Sequence, residues 1–166
     1  SWAAPRLARG DAPGPERVPV WSPYVRGERT PLHDPDRRAV LDGLDLTHGS
    51  GALRRAAFEA AGFVVRHHLD LSGLPANRLV LTGGGTRVPE WVQALADGTG
   101  LPADLVAVPE GGALGSAFFA RVAAGLETDA TAARRWARTD RRVEPDPAWA
   151  NACAPRYQRF RELADA

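Results

Sequence analysis

The 166 residues contain no lysine, no methionine and a single cysteine. Without lysine the chain can form no Schiff base and has no ammonium group for a phosphate loop of the Walker type. The lone thiol, Cys153, excludes an internal disulfide and fits a reducing compartment. No initiator Met is visible and the sequence opens Ser-Trp-Ala-Ala, so the expectation is a processed product or a piece of a longer polypeptide. Also missing is any apolar run near the roughly 18–20 residues of a membrane span, and the amino terminus lacks the apolar stretch of a signal peptide. Charge of one sign is scarce as well. The 21 basic residues, all Arg, face 20 acidic ones, and a formal net charge of +1 argues against a bulk electrostatic surface for nucleic acid. These absences predict a soluble, cytoplasmic protein with neither nucleic acid nor membrane as partner. HExxH, paired cysteines, the Gly-x-Ser-x-Gly elbow and internal repeats are likewise absent.

What is present suffices for one ordinary core, at a hydrophobic fraction of 44%. Residues 1–17 hold three prolines and little periodicity, and read as a mobile or truncated lead-in. Val18–Tyr24 suits an extended edge segment, because its prolines exclude a central strand. Arg26–Arg38 is a loop dense in charge and turn formers, and Ala39–Leu46 reads as extended. Ser50 is placed to cap a helix over Ala52–Leu71, with Leu53, Ala56, Ala57, Ala60, Val64 and His68 on one face and Arg54, Arg55, Glu59 and Arg66 on the other. Its small residues suit close packing on a sheet or a helix. His67 and His68 project about 100° apart, cannot share one metal, and read as solvent-facing or core-edge.

The most informative stretch is Arg78–Asp97. An apolar run, Leu79-Val80-Leu81, stops at Gly83, Gly84 and Gly85, and a helical pattern then begins near Pro89 with Trp91, Val92 and Leu95 on one face. Strand, glycine turn, helix is a nucleotide-site geometry, since side-chain-free backbone lies flat against a ligand. It is equally the pattern of a tight turn with close helix packing. Ala103–Val108 repeats the theme as a second strand, followed by a Gly- and Ala-rich helix ending at Gly125. Gly112 and Gly115 inside that helix imply that backbone or ligand approaches its start closely. The alternation predicts an α/β sheet flanked by helices. From Thr128 onward the pattern becomes Arg- and Ala-rich helical pieces broken by Pro145, Pro147 and Pro155, with Tyr157, Phe160 and Leu163 as an apolar stripe.

Three punctuated segments occur in order: Pro23-Tyr-Val-Arg-Gly-Glu-Arg-Thr-Pro31 followed by Asp34-Pro-Asp, Thr82-Gly-Gly-Gly-Thr-Arg-Val-Pro-Glu-Trp-Val-Gln93, and Glu110-Gly-Gly-Ala-Leu-Gly-Ser-Ala117. Together with Ala39–Leu44 and Leu53–Glu59, they resemble the C-terminal domain of the FGGY carbohydrate kinases, and within that family the xylulokinases. Ala52 departs from the family pattern, where a polar or acidic residue is usual, and Val88 departs where a small polar one is. The resemblance implies a ribonuclease H-like/actin-ATPase-like fold with a mixed sheet flanked by helices. It spans residues 18–127 as the nucleotide-binding portion, with 128–166 as a helical extension. It further implies ATP and Mg as cofactors, a ketose such as D-xylulose as phosphoryl acceptor, and allows a homodimer. Gly83, Gly84, Gly85 and Thr86 then lie against adenosine, with Arg87 and Pro89 beside them, and the Gly27, Glu28, Arg29 loop lies near the cleft. The family's general-base aspartate is expected upstream, so Asp34, Asp36, Asp42, Asp45 and Asp97 are not given that role, no catalytic residue and no metal ligand is assigned, and this chain alone is expected to be inactive. The alternative is a non-catalytic actin-like module that keeps nucleotide contact without phosphorylating anything. A Rossmann dinucleotide site fits less well, because Thr82–Val88 lacks the Gly-x-Gly-x-x-Gly spacing and its following acid.

Overall fold

The computed structural model describes residues 12–165. The lead-in predicted over 1–17 therefore lies, for its first eleven residues, outside the described residues. Two short strands, β1 (Val20–Ser22) and β2 (Val40–Asp42), pair antiparallel with Trp21 opposite Leu41. Helix α1 (Ser50–Ser72) follows, then β3 (Leu79–Leu81), a 3₁₀ turn at Gly84–Arg87, α2 (Pro89–Thr99), β4 (Ala103–Val106) and α3 (Gly111–Ala123). A second 3₁₀ turn at Ala130–Arg135 leads to β5 (Thr139–Val143) and α4 (Pro147–Asp165). Strands β3, β4 and β5 form a sheet in that order, parallel between β3 and β4 and antiparallel between β4 and β5. The sheet is thus flanked by helices, as the alternation predicts, and mixed, as the resemblance implies.

Strand alternation turns Ala103 and Leu105 toward α2, where they pack with Val92, Ala96, Leu79, Leu81 and Val143. On the opposite face Asp104 is buried beneath Arg78, 2.8 Å away, and Arg142, 3.1 Å away. A second core joins β1 to α1 and α4 through Val20, Tyr24, Phe63, Cys153, Tyr157 and Phe160. Helices α1 and α2 cross where Gly62 meets Gly98, and a Cβ at Gly62 would stand 3.1 Å from the Ala94 carbonyl oxygen. The small residues of α1 therefore serve a neighbouring helix.

Several local expectations are corrected. Gly49, extended at ψ 179°, holds the N-cap position of α1 and Ser50 is already helical. Arg55 and Glu59 do not face water. Glu59 is 1% exposed on the same face as Ala52, Ala56, Ala60 and Phe63, and Arg55 is drawn in beside it. His67 is fully buried, its ring edge-on to Phe160. The stretch after Thr128 contains β5, whose polar Thr-Asp-Arg-Arg-Val sequence hides an edge strand that tucks in only Val143. Pro155 does not break α4, because Cys153, Arg156, Tyr157 and Phe160 anchor the helix on both sides of it.

Buried charge ties these elements together. Glu59 accepts from Arg55 at 2.7 Å and from Arg156 at 2.8 and 2.9 Å, and Arg55 reaches Asp97 of α2 at 2.7 Å. Removing one partner of such a set strands the others in a dry interior. Glu59→Ala is expected to lower the unfolding free energy by about 3–5 kcal/mol, read from urea midpoints. Cys153 reports the same event, since burial and then the Glu59 charge push its thiol up to about 12. Its labelling at neutral pH should be slow in the native chain and much faster in the variant.

Acid should loosen the periphery first. The hydrogen bond from Arg159 holds the Asp42 carboxyl below its ordinary value, and those from Arg121 and then Arg135 do the same for Glu127. Both carboxyls bind protons less readily folded than unfolded. Their stabilisation is therefore complete above the ordinary carboxylate range and lost as pH falls through the depressed folded values. The melting temperature is expected to hold from neutral pH to about 5 and to fall below about 4, as followed by far-UV ellipticity.

Candidate functional site

Strands β3 and β4 run parallel, and each ends in a glycine turn that opens a helical turn. The two turns are stitched together. The Gly83 N–H donates to the Pro109 carbonyl at 2.8 Å, the Thr82 hydroxyl donates to the same oxygen at 2.8 Å, and Gly111 sits so close to Thr82 that an added Cβ would lie 2.8 Å from its Oγ1. Arg87 and Glu110 extend the stitch outward as an exposed ion pair at 3.2 Å. The carboxyl ends of adjacent parallel strands are where open α/β sheets bind ligands.

Within the first turn the three glycines do different jobs. Gly83 has φ +90°, a conformation that favours glycine, and its carbonyl accepts from the Thr86 N–H at 3.3 Å and from the Thr86 hydroxyl at 2.7 Å. A Cβ at Gly83 or Gly84 would meet nothing within 4 Å. A Cβ at Gly85 would lie 2.3 Å from Cζ3 of Trp91, so that glycine is required by the packing of the indole. Trp91 in turn stacks on Phe58 of α1, with ring centroids 6.3 Å apart. Val88 precedes α2 as its N-cap, with no side-chain cap, and Pro89 occupies the first turn, where its missing N–H costs nothing.

The turn therefore presents bare, open backbone at Gly83 and Gly84, with Thr86 folded back on Gly83 and Arg87 at the rim. Residues 82–89 carry no carboxylate, imidazole or thiol. Such a surface can hold a flat ligand but cannot move a proton. Among the described residues no group of three or more His, Cys, Asp or Glu is placed to hold a metal ion, and no helix is long and apolar enough to cross a membrane.

The loop at Gly27, Glu28 and Arg29 is not brought beside this turn. Thr30, the next residue, meets His68 Nε2 at 3.1 Å, whereas the glycine turn lies by the opposite end of α1, where Arg54 pairs with Glu90 at 4.0 Å. His68 is fourteen residues beyond Arg54, about 21 Å along a helix axis. Glu28 instead orders its own loop: its buried carboxylate accepts from the N–H groups of Leu32 at 3.0 Å and His33 at 2.7 Å. Gly27, at φ +85°, lets Pro35 come close, since a Cβ there would lie 2.6 Å from the Pro35 oxygen. The helix start at Gly111–Gly115 holds a different surprise. Nothing of the described chain lies within 4 Å of a Cβ built at Gly112 or Gly115.

Sequence reasoning did not single out Trp91 as the residue that fixes Gly85, or the Thr82–Pro109–Gly111 contact that joins the two turns. The only sequence signal for them was the spacing of a large aromatic six residues after a glycine.

Comparison with known proteins bears on this geometry. The pattern of the FGGY family of carbohydrate kinases, C-terminal domain, matches residues 2–124. Xylulose kinase of Escherichia coli (strain K12) is 35% identical over 150 residues, covering 87% of this chain and 31% of the relative. A glycerol kinase of Allorhizobium ampelinum is 38% identical over 148 residues, covering 84% of the chain and 29% of the relative. Among solved structures, ligand-bound xylulose kinase of Lactobacillus acidophilus superposes with a TM-score of 0.81 at 25% identity, over 93% of this chain and 32% of that one. Xylulose kinase of Rhodospirillum rubrum gives 0.72 at 32% identity, over 93% and 31%. The chain thus spans about a third of the length of the curated relatives it matches. Its mixed sheet flanked by helices is the C-terminal portion of a ribonuclease H-like/actin-ATPase-like fold. With the family pattern covering most of the sequence and the two glycine turns meeting at the ends of parallel strands, the chain belongs to the FGGY family of carbohydrate kinases, as its C-terminal domain.

Proposed function

We propose that this chain is the adenosine-binding part of an ATP-dependent sugar kinase whose acceptor is a ketose such as D-xylulose. The observation that carries the reading is the open backbone at Gly83 and Gly84, at the carboxyl end of β3 beside the turn that follows β4. A purine and its ribose are flat enough to lie against such a surface, and any side chain there would hold them off. Thr86, Arg87 and Pro89 border the same surface. The ketose reading is supported by the xylulose kinases among the relatives.

In phosphoryl transfer most of the catalysis is positioning and charge stabilisation, so both walls of a cleft are needed. This chain supplies the nucleotide wall. The general base is assigned, as the resemblance to the family implies, to the two thirds of the relatives' length that this chain does not span. What the residues of this wall do is bind and orient: the Gly83–Gly84 backbone receives the nucleoside, and Trp91 holds Gly85 so that the backbone stays flat.

Two substitutions separate binding from packing. In the full-length enzyme that carries this domain, Gly84→Val is expected to raise the KM for ATP about tenfold or more with the ketose KM unchanged, because the added methyls meet only ligand. Gly85→Val instead drives into Trp91 and is expected to cost about 1–3 kcal/mol of stability. An unchanged ATP KM in the Gly84 variant would sink the nucleotide assignment. The 166 residues alone are expected to release no ADP in a coupled assay with ATP and D-xylulose; turnover at a rate comparable with a whole kinase would show that this chain contains the chemistry as well.

A further inference from the structure

One acceptor joins the two glycine turns. The Pro109 carbonyl oxygen takes two donors from consecutive residues at the end of β3, the Thr82 hydroxyl and the Gly83 N–H, each at 2.8 Å. Thr82 is exposed, so water can satisfy its hydroxyl and desolvation does not force the bond to Pro109. Gly111 answers it from the second turn. It is the first residue of α3 and has no positive φ, so its backbone makes no demand for glycine. What excludes a side chain there is Thr82. A Cβ at Gly111 would stand 2.8 Å from Oγ1 of Thr82, against 3.6 Å from Cγ2 and 3.7 Å from Cβ. The hydroxyl and the absent methyl are therefore a matched pair, and together they set how closely the second turn approaches the first.

Bare backbone flanks this pair on both turns. Gly83 and Gly84 in the first, and Gly112 next to Gly111 in the second, have nothing of the described chain within 4 Å of an added Cβ. The other join between the turns, Arg87 with Glu110 at 3.2 Å, is exposed at both ends and holds weakly. The Thr82 hydroxyl is thus the short, directional side-chain element of the join.

We propose that Thr82 is a positioning residue for the nucleoside: through the Pro109 carbonyl its hydroxyl holds the second turn so that Gly112 continues the surface of Gly83 and Gly84. It acts through Pro109 rather than on the ligand. The inference rests on the nucleotide reading above and deepens it, by making affinity depend on a side chain of the first turn that fixes the second.

The test is steady-state kinetics of the full-length enzyme that carries this domain. Thr82→Val keeps the branched shape and loses the donor; it is expected to raise the KM for ATP about fivefold with kcat and the ketose KM unchanged. Its thermal midpoint should stay within about 2 °C of the parent, because no buried group is stranded and Pro109 keeps the Gly83 bond. Thr82→Ser retains the hydroxyl and should retain the parent ATP KM. Gly111→Ala drives its methyl against Oγ1 and should raise the ATP KM as Thr82→Val does. Added to Thr82→Ala, however, it should raise the ATP KM no further than Thr82→Ala alone, since Oγ1 is gone. Gly84→Val, measured alongside, separates the two levels. If it raises the ATP KM and Thr82→Val does not, the positioning role is overturned and the nucleotide reading stands; if neither variant moves it, both fall. The role is also overturned if Thr82→Ser raises the ATP KM as much as Thr82→Val, or if Thr82→Val lowers the midpoint and raises both KM values together, the mark of a merely structural bond.

Discussion

The carboxylate of Glu59 is the point on which the architecture turns. It is 1% exposed, on a helix face shared with Ala52, Ala56, Ala60, Gly62, Phe63 and His67, and it is held by Arg55 from its own helix and by Arg156 from α4. Arg55 carries the connection to Asp97 of α2, which also accepts from Gln93 at 2.8 Å and from the Asp146 N–H at 2.8 Å, at the turn into α4. The Arg55 guanidinium lies over Trp149, 3.9 Å from the ring centroid. Burial alone would make Arg55 easier to deprotonate, but Glu59 and Asp97 outweigh it and hold the cation. An apolar cluster of similar volume could bind these helices as tightly, because desolvation consumes most of the attraction between buried ions. What the ions add is register. Three helices and one turn must place their donors and acceptors within hydrogen-bond distance at once, and one relative arrangement does so.

That register reaches the glycine turn through two close contacts. Arg55 and Asp97 fix α2 along α1, which brings Gly62 against Gly98 and Phe58 onto Trp91. Trp91 then fills the space in which a side chain at residue 85 would stand. The turn is thus held from behind by an aromatic stack, while Gly83 and Gly84 are left bare in front. Glycines in one short run have separate causes, and the test is what an added methyl would touch. At Gly62 and Gly85 it touches protein; at Gly83, Gly84, Gly112 and Gly115 it touches nothing in the described chain.

The same distinction explains what could be read from the sequence. Strand, glycine turn and helix were legible at β3 and α2 because the apolar run, the three glycines and Pro89 each speak through local chemistry. The α/β alternation was legible for the same reason. Periodicity puts Glu59 and Arg55 on the solvent face because it treats charge as a mark of solvent, and only the tertiary partners Arg156, 97 residues from Glu59, and Asp97, 42 residues from Arg55, reverse that rule. Strand β5 is hidden because an edge strand buries little, and its Arg142 acts by pairing with the buried Asp104. Pro155 misled in the opposite direction, since the cost of a proline inside a helix is offset by packing that no local window contains. At the site, the open glycines were visible as residues but not as surfaces, and the partnership of Gly85 with Trp91 needed the fold.

Parallel strands impose a last constraint. Because β3 and β4 run the same way, the chain must cross back through α2 between them, and both glycine turns fall at one end of the sheet. Helix α1 spans the distance to the other end, where Thr30 meets His68 and the Gly27–Arg29 loop is folded on the Glu28 carboxylate. The glycine turns and that loop therefore lie toward opposite ends of α1. The density of charge in Arg26–Arg38 has a local use: Asp34 caps the N–H groups of Asp36 and Arg37 and pairs with the Arg37 side chain, and Glu28 closes the turn at His33, whose φ of +58° needs such support. The conformation of this loop is thus accounted for within the chain, as is that of Gly83 by its φ of +90° and its bonds to Thr86 and Pro109, whereas at Gly84 nothing in the described chain fills the space a side chain would take.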